Sequence, residues 1–401
     1  MGLMPVDEAL ARLLAGAGRL EAEALPIADC ADRVLAAPLA ALRTQPPFDA
    51  SAMDGYAVRA ADVASPPARL RVIGQAPAGE PFAGVLGPGE AVRIFTGGVV
   101  PEGADTVLIQ ENTRPAGDGV VEALEPVAPG KNIRRKGLDF EDGAPLLDDG
   151  RVLDAAALSL AASANHARLA VVKRPLVAIL ATGDELLPPG STVGPGQIIA
   201  SNLYGVAALA RSAGAEVLDL GIAPDRETAI AQALERALQA GADIIVTIGG
   251  ASVGDHDLVQ KSLLAQGASI DFWKIAMRPG KPLMAGQLGG RHVLGLPGNP
   301  VASLICSLVF LVPLISSLAG RTVENLYRDG VLGSALPKND LRQDFLRAEI
   351  RKDGDRLIAS AAPVQDSSML RVLAAAGALI VREPFAPAAA AGDPCRLLML
   401  R

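Results

Sequence analysis

The chain has 401 residues, half of them apolar and 20% charged, which is ample material for packed cores, excludes a disordered chain, and points to about two to four domains. Lysine and arginine number 37 against 44 aspartate and glutamate, a formal charge of −7 with no long basic run, which argues against nucleic acid as the main partner. Cys30, Cys306 and Cys395 are too dispersed for a disulfide framework, and His166, His256 and His292 are equally scattered, so zinc has no ligand set; a metal acting here would take oxygen ligands, which favours magnesium.

The N-terminal segment MGLMPVDEAL lacks the charged and apolar regions of a signal peptide, and Val6 stands where a myristoylation motif wants Ser or Thr, so a cytoplasmic location is expected. Residues 6–42 alternate apolar and charged positions and predict helices broken at Pro26 and Pro38. Between 43 and 132, Pro and Gly multiply around β-prone runs at 70–73, 91–95 and 106–110, the texture of a small inserted β domain. Helix formers return at 153–166, so the flanking segments predict one discontinuous domain. From Arg174, apolar runs at 176–181, 243–248 and 292–296 alternate with helical segments at 201–213 and 226–240, which predicts a parallel α/β sheet with its ligand site at the carboxyl ends of the strands. Residues 301–318 are apolar enough to suggest a membrane span. Asn299 and Pro300, however, read as an N-cap and first helical residue, and Pro313 interrupts the run, so a buried core helix and no membrane are expected. After Gly320, runs at 345–351, 356–360 and 378–381 predict a small C-terminal β domain.

The fold class is therefore multidomain, α/β and β. A discontinuous helical N-terminal domain (1–42 and 138–172) carries an inserted β domain (43–137), followed by a parallel α/β domain (173–322) and a C-terminal β-barrel-like domain (323–401).

Several segments carry chemistry. PPFDASAMDGYAV, residues 46–58, sets Asp49 and Asp54 in a turn-rich loop stiffened by two prolines; an Asx-type turn leading into a strand is the plainer reading. Thr96-Gly97-Gly98 can present backbone N–H groups to an anion. Residues 130–143 concentrate Lys131, Arg134, Arg135 and Lys136 beside Asp139, Glu141 and Asp142, either to neutralise an anion or as a solvated charged loop. The strand at 176–181 runs into TGDEL, which puts Asp184 and Glu185 at a strand's carboxyl end. The strand at 243–248 runs into GGASVGDHD, residues 249–257, a glycine-rich turn of the kind that cradles phosphate, although neither a P-loop nor a dinucleotide fingerprint. Lys274, Arg278 and Lys281 surround a Pro-Gly turn and supply charge suited to an oxyanion or phosphate. GLPGNPVAS, residues 295–303, ends a strand and starts a helix whose N–H groups can also face an anion. His256 and His292 read as structural or surface residues.

Taken in order, PPFDASAMDGYA, TGGVVPEGAD, NIRRKGLDFEDG, ATGDELLPPG, TIGGASVGDHD, KIAMRPGKPL and GLPGNPVAS resemble the successive motifs of the molybdopterin molybdotransferase family, which includes the gephyrin E domain. The resemblance implies an α/β molybdopterin-binding domain, an elongated homodimer, and transfer of molybdate onto adenylylated molybdopterin with release of AMP. An adenylyltransferase would act upstream and molybdoenzyme apoproteins downstream. Carried over by motif, Asp54, Asp139, Glu185 and Asp257 form the acidic catalytic group, with Glu185 and Asp257 as candidate Mg2+ ligands. Thr96, Thr182, Asp184, Asn202, Gly249, Gly250, Ser252, Gly254, Lys274, Pro297, Asn299 and Pro300 contact the pterin nucleotide or its surroundings. Arg278, Lys281, Arg347 and Ser367 bind molybdate or pterin phosphate, the last two resting on DFLRAEI and QDSSMLRVL. The resemblance further implies that Asp54 and Thr96 of one protomer work with Glu185 and Asp257 of another. Ala200, Ile248, Arg278 and Ala302 depart from residues common in the family and bear on the choice between molybdate and tungstate. Two other readings are a catalytically idle scaffold of the gephyrin E-domain type and a pterin adenylyltransferase; the complete acidic set argues against the first, and the β insertion against the second.

Overall fold

The computed structural model describes residues 3–249, 258–272, 274–322 and 325–400. The chain divides into two units: Met1–Glu23, Asp32–Ala36 and Ala170–Arg401 form one, Ala24–Ala31 and Ala37–Leu169 the other. The first helix, Val6–Ala15, buries Val6, Ala9 and Leu13 at helical spacing and gives way at Gly16. Helix does not continue through residues 16–42 as the composition predicts. The chain instead forms a strand at Ala22–Pro26, a 3-10 turn at Ile27–Asp29 and a two-residue strand at Leu39–Ala40. Gly16 and Gly18 raise the cost of helix, and Pro26 and Pro38 remove the donors a longer helix needs.

The smaller unit is built on a six-stranded sheet in the spatial order Thr106–Ile109, Gly55–Val58, Glu90–Ile94, Ala68–Ala76, Val120–Ala123, Thr113–Pro115. The three β-prone runs expected from the sequence all lie in it. Alternation places Val58, Leu70, Leu108 and Val121 in one apolar cluster and Ala57, Val92, Ile94 and Val107 in another. The expected helix is present as Ala155–Ser163, and it starts where the Asp154 carboxylate accepts the Ala157 N–H at 2.8 Å.

In the larger unit the expected alternation produces a six-stranded sheet in the order Glu216–Ala223, Leu176–Thr182, Ile244–Ile248, Arg291–Leu296, Met284–Leu288, Ser269–Phe272. The first four strands are parallel and the last two antiparallel additions. Both faces are covered, which is why the central strands are apolar throughout. Val177, Ile179 and Val246 pack with Val206, Ile305 and Phe310 in one cluster, Ala178, Leu180 and Ile245 with Ile230 and Leu234 in another. The chain leaves Leu176–Thr182 for Glu216–Ala223 on one side and then crosses to Ile244–Ile248 on the other, so the order reverses at Leu176–Thr182.

The apolar segment folds as helix Pro300–Cys306, a π turn Ser307–Leu311 and helix Val312–Leu318. Pro313 offers no N–H and its ring would crowd the preceding turn; the wider π turn accommodates it. The segment is long and apolar enough to cross a bilayer, yet 72% of it is buried within the protein, with Val301, Ile305, Phe310 and Leu314 in the core.

The C-terminal strands close on themselves. Gln343–Asp353 pairs with Arg356–Ala361 on one edge and Ala378–Arg382 on the other, and Tyr327–Leu332 and Pro394–Met399 complete the ring. Met277–Arg278 of the preceding basic turn joins this sheet beside Gln343 and Asp344.

Close backbone approach makes one glycine diagnostic. A Cβ on Gly286 would lie 2.1 Å from the Ser269 carbonyl oxygen, whereas one on Gly18 would meet nothing within 4 Å. Gly286→Ala is expected to lower stability by about 1–3 kcal/mol, and Gly18→Ala to stay within about 0.5 kcal/mol of wild type. Both sit in the larger unit, so its urea-unfolding midpoint reads both; equal midpoints would contradict the packing described.

Candidate active site

Three loops of the smaller unit are sewn together by the backbone. Gly97 N–H donates to Ser51, Ser51 N–H to Gly98 and Val100 N–H to Asp49, while Gln45 and Phe140 exchange bonds and Asp139 N–H donates to Gln45. These bonds gather the segments that carry Asp49 and Asp54, Thr96, and Asp139. Asp54 and Thr96 meet directly: one carboxylate oxygen accepts the Thr96 backbone N–H at 2.7 Å and its hydroxyl at 2.8 Å. Those two bonds, the backbone one foremost, hold Asp54 below the usual carboxylate range. Asp49 takes the Lys136 N–H at 2.8 Å and Arg135 at 2.6 Å, and is likewise lowered, chiefly by the Lys136 backbone.

The anion nest expected at residues 96–98 is not formed. Thr96 N–H goes to Asp54, Gly97 N–H to Ser51 and Gly98 N–H to Phe95, so all three donors are spent inside the protein. What the loop offers instead is a fixed, ionised carboxylate.

In the larger unit, the reversal point of the sheet carries the second group. Thr182 ends its strand with its hydroxyl oxygen buried and without a hydrogen-bond partner among the described residues. Asp184 accepts the Asp225 N–H at 3.1 Å. Glu185 folds over Gly183, where an added Cβ would meet its carboxylate at 2.5 Å. Gly249 has φ +91°, and a Cβ there would lie 2.7 Å from the Thr182 carbonyl oxygen, so the crevice tolerates no larger residue. Asn202 donates to the Gly298 carbonyl at 2.7 Å and thereby ties the 297–300 loop to the start of helix Asn202–Ser212. Thr182, Gly249 and Asn202 thus meet the loop of Pro297, Asn299 and Pro300 through Gly298, with Asp184 and Glu185 following Thr182 at the carboxyl end of the same strand. Asn299 occupies the N-cap position, although its side chain makes no capping bond. Gly250, Ser252, Gly254, His256 and Asp257 lie outside the described residues.

Asp225 was missed in the sequence. It follows the edge strand Glu216–Ala223, whose polar positions Glu216 and Asp219 break the apolar run that marks the other strands. Burial raises the Asp225 pKa, with Asp184 and Glu185 adding repulsion. Among the described residues no group of three or more His, Cys, Asp or Glu is placed to hold a metal ion, and His292 is a buried member of its strand, as read from the sequence.

The basic residues separate into two kinds. Lys274 and Lys281 are exposed. Arg278 is engaged by Asp344, by Asp340 at 3.2 Å and by Asn339 at 3.4 Å, so its charge fastens the basic turn to the C-terminal ring. Arg347 is fully buried, and none of its three guanidinium nitrogens has a protein partner among the described residues. Ser367 reaches the neighbouring module through its backbone, its carbonyl accepting the Val301 N–H at 3.0 Å.

A doubly covered α/β sheet whose order reverses at Leu176–Thr182, joined in one chain to a closed β ring and a separate β unit, defines a multidomain protein of the doubly wound class, in which ligands bind at the carboxyl ends of the strands. Family models agree along the chain: a MoeA N-terminal region (domain I and II) matches residues 4–165, a probable molybdopterin binding domain 178–317, and a MoeA C-terminal region (domain IV) 329–400. The molybdopterin molybdenumtransferase of Nostoc sp. is 42% identical over 72% of this chain and 67% of its own length. That of Bacillus subtilis is 34% identical over 99% and 94%. The molybdopterin biosynthesis MoeA protein of Pyrococcus horikoshii superposes with a TM-score of 0.83 at 28% identity, covering all of both chains. The chain belongs to the molybdopterin molybdenumtransferase family, a family of enzymes.

The carboxylate cluster makes a direct electrostatic test. Asp184→Asn keeps the oxygen that accepts the Asp225 N–H but removes a negative neighbour, so the Asp225 pKa is expected to fall toward the ordinary aspartate value. Carboxyl-carbon NMR titration of Asp225 reads this, and an unmoved midpoint would show that Asp184 exerts no charge effect there.

Proposed function

We propose that the enzyme transfers molybdate onto adenylylated molybdopterin with release of AMP, forming the molybdenum cofactor. The observation that carries this reading is Arg347, a fully buried cation whose three guanidinium nitrogens have no hydrogen-bond partner among the described residues and which feels only the field of Asp366. It lies on the face of the ring that packs against the α/β module, and the ring's 365–368 loop is bonded to the first turn of helix Pro300–Cys306. Leaving a buried charge unpaired costs several kcal/mol, which a tetrahedral oxyanion would offset with charge-assisted hydrogen bonds. The names carried by the relatives support the same substrate class.

On this reading Lys281 and Arg347 hold molybdate, with Ser367 beside them, while Arg278 acts through its ion pairs to place the basic turn. Thr182, Asn202, Gly249 and the 297–300 loop receive the pterin nucleotide. Asp54, Asp139, Glu185 and Asp257 are the acidic group. The hard carboxylate oxygens of Glu185 fit Mg2+, which commonly binds one or two carboxylates together with substrate phosphates; Glu185 and Asp257 are the proposed ligands. When bound, the ion would offset phosphate charge at the AMP linkage. The protein's own part is to hold two anions close: Asp54, fixed by Thr96, stays ionised and orients donors of the substrate, while Lys281 and Arg347 lower the repulsion that molybdate would meet. We further propose that it works as a cytoplasmic homodimer, between an adenylyltransferase that supplies its substrate and apoenzymes that accept its product.

Incubation with adenylylated molybdopterin, Mg2+ and molybdate should release AMP in a molybdate-dependent manner. Arg347→Met fills much of the same space without the charge. It is expected to reduce that release at least about a hundredfold and, in the absence of molybdate, to leave the fold as stable or more stable by about 1–4 kcal/mol. AMP release by the variant at the wild-type rate would remove Arg347 from the site; a variant that is less stable and fully active would make it a structural residue.

A further inference from the structure

Arg347 would hold a ligand at the end of a long flexible side chain, so something must fix where that side chain begins. On one edge its strand pairs with Leu379 in the Ala378–Arg382 strand. On the other edge, registered pairing with Arg356–Ala361 ends at Ala348 opposite Ala361, one residue short of Arg347. The ladder is carried past that end by a side chain. The Gln365 Oε1 accepts the Arg347 N–H at 3.0 Å, and its Nε2 donates to the Arg347 carbonyl at 2.9 Å and to the Ala362 carbonyl at 3.0 Å. Ala362 N–H also donates to the Arg347 carbonyl at 2.8 Å. The amide of Gln365 therefore replaces a strand neighbour at the residue that bears the unpartnered guanidinium.

The same side chain anchors the loop that follows it. Asp366 accepts the Ser368 N–H at 2.8 Å and its hydroxyl at 2.6 Å, and the Ser367 carbonyl takes the Val301 N–H. Gln365 is thus the point where the strand of Arg347, the 365–368 turn and, through that turn, the start of helix Pro300–Cys306 are registered. We infer that Gln365 is the positioning residue of the oxyanion site, an inference that rests on the reading of Arg347 above. It touches no ligand. Its amide fixes the Arg347 backbone and the Ser367 turn together, so that the guanidinium projects from a set point toward a set partner. Removing the amide leaves a backbone donor unsatisfied beside a buried guanidinium that has no hydrogen-bond partner among the described residues, and the guanidinium loses its reference.

The test uses the full-length protein, with sodium molybdate as the probe in titration calorimetry and AMP release as the kinetic readout. In Gln365→Met, similar in length and without hydrogen-bonding groups, the molybdate Kd and the KM for molybdate are expected to rise about tenfold while kcat at saturation stays within about twofold. Gly286→Ala, destabilised elsewhere in the same unit, is the control for a purely structural effect and should keep the wild-type KM. Should the methionine variant not fold, Gln365→Asn, which carries the amide on a shorter stem, is expected to raise Kd and KM in the same direction. An unchanged Kd and KM in either folded variant, or a KM raised equally by Gly286→Ala, overturns the positioning role. A wild-type protein that takes up no molybdate overturns the reading of Arg347 itself, and the positioning role with it; the two failures are told apart by the wild-type titration.

Discussion

A guanidinium stays protonated at any physiological pH, so an arginine enclosed in protein is a charge that must be answered from inside. Arg347 is such a residue, and much of the larger unit is arranged around it. Arg347 lies on the outer face of the C-terminal ring, with Phe345 and Leu379, where the ring packs against the α/β core. Gln365 pins its backbone from one edge and the Ala378–Arg382 strand from the other, and, besides the pairing of Met277–Arg278 with Gln343 and Asp344, two further ties join the ring to the α/β module. One tie is the Arg278 ion pair with Asp344 and Asp340, the other the Val301 to Ser367 backbone bond. An ion pair whose arginine is exposed is by itself weak support for a fold. Here the pair does a more specific task, since it joins the basic turn to the strand that, a few residues on, presents Arg347.

The opposite sign of charge gathers at the reversal point of the parallel sheet, where burial and the neighbouring Asp184 and Glu185 raise the Asp225 pKa. Carboxylates alone would repel both molybdate and a pterin phosphate. On the proposed reading two anions are brought together, and separate acidic and basic stations would suit that: carboxylates for a divalent cation and phosphates, and buried or exposed cations for the oxyanion. In the smaller unit, Thr96 spends its backbone and hydroxyl donors on holding Asp54 below the usual carboxylate range.

The parallel α/β core was legible because strands buried on both faces become uninterrupted apolar runs, and Leu176–Thr182, Ile244–Ile248 and Arg291–Leu296 are such runs. Glu216–Ala223 was not, since an edge strand carries polar residues at Glu216 and Asp219, and Asp225 was lost along with it. The helical reading of residues 16–42 failed because alanine and leucine content outweighed two glycines and two prolines that decide the backbone. At the site, motif reading named Asp54, Thr96 and the residues around 182–185 and 297–300, and the structure bonds Asp54 to Thr96. Motif reading could not foresee that the donors of residues 96–98 are consumed by the loop itself, that Arg278 is held by Asp344, or that Arg347 is enclosed, because these depend on partners 42, 66 and more residues away along the chain. Gln365 was quoted within a motif, but its bond to Arg347 spans 18 residues and appears only once the ring has closed.

The central claim is that the charge of Arg347 is completed by the oxyanion substrate. Crystals grown with molybdate and measured at the molybdenum absorption edge test it directly, because the anomalous signal locates the metal without reference to its surroundings. The account places the anomalous peak one metal–oxygen bond beyond hydrogen-bonding reach of the Arg347 guanidinium, with molybdate oxygens accepting from it and Ser367 and Lys281 around the ion. Molybdenum bound elsewhere, with only water or no density beside Arg347, would contradict it.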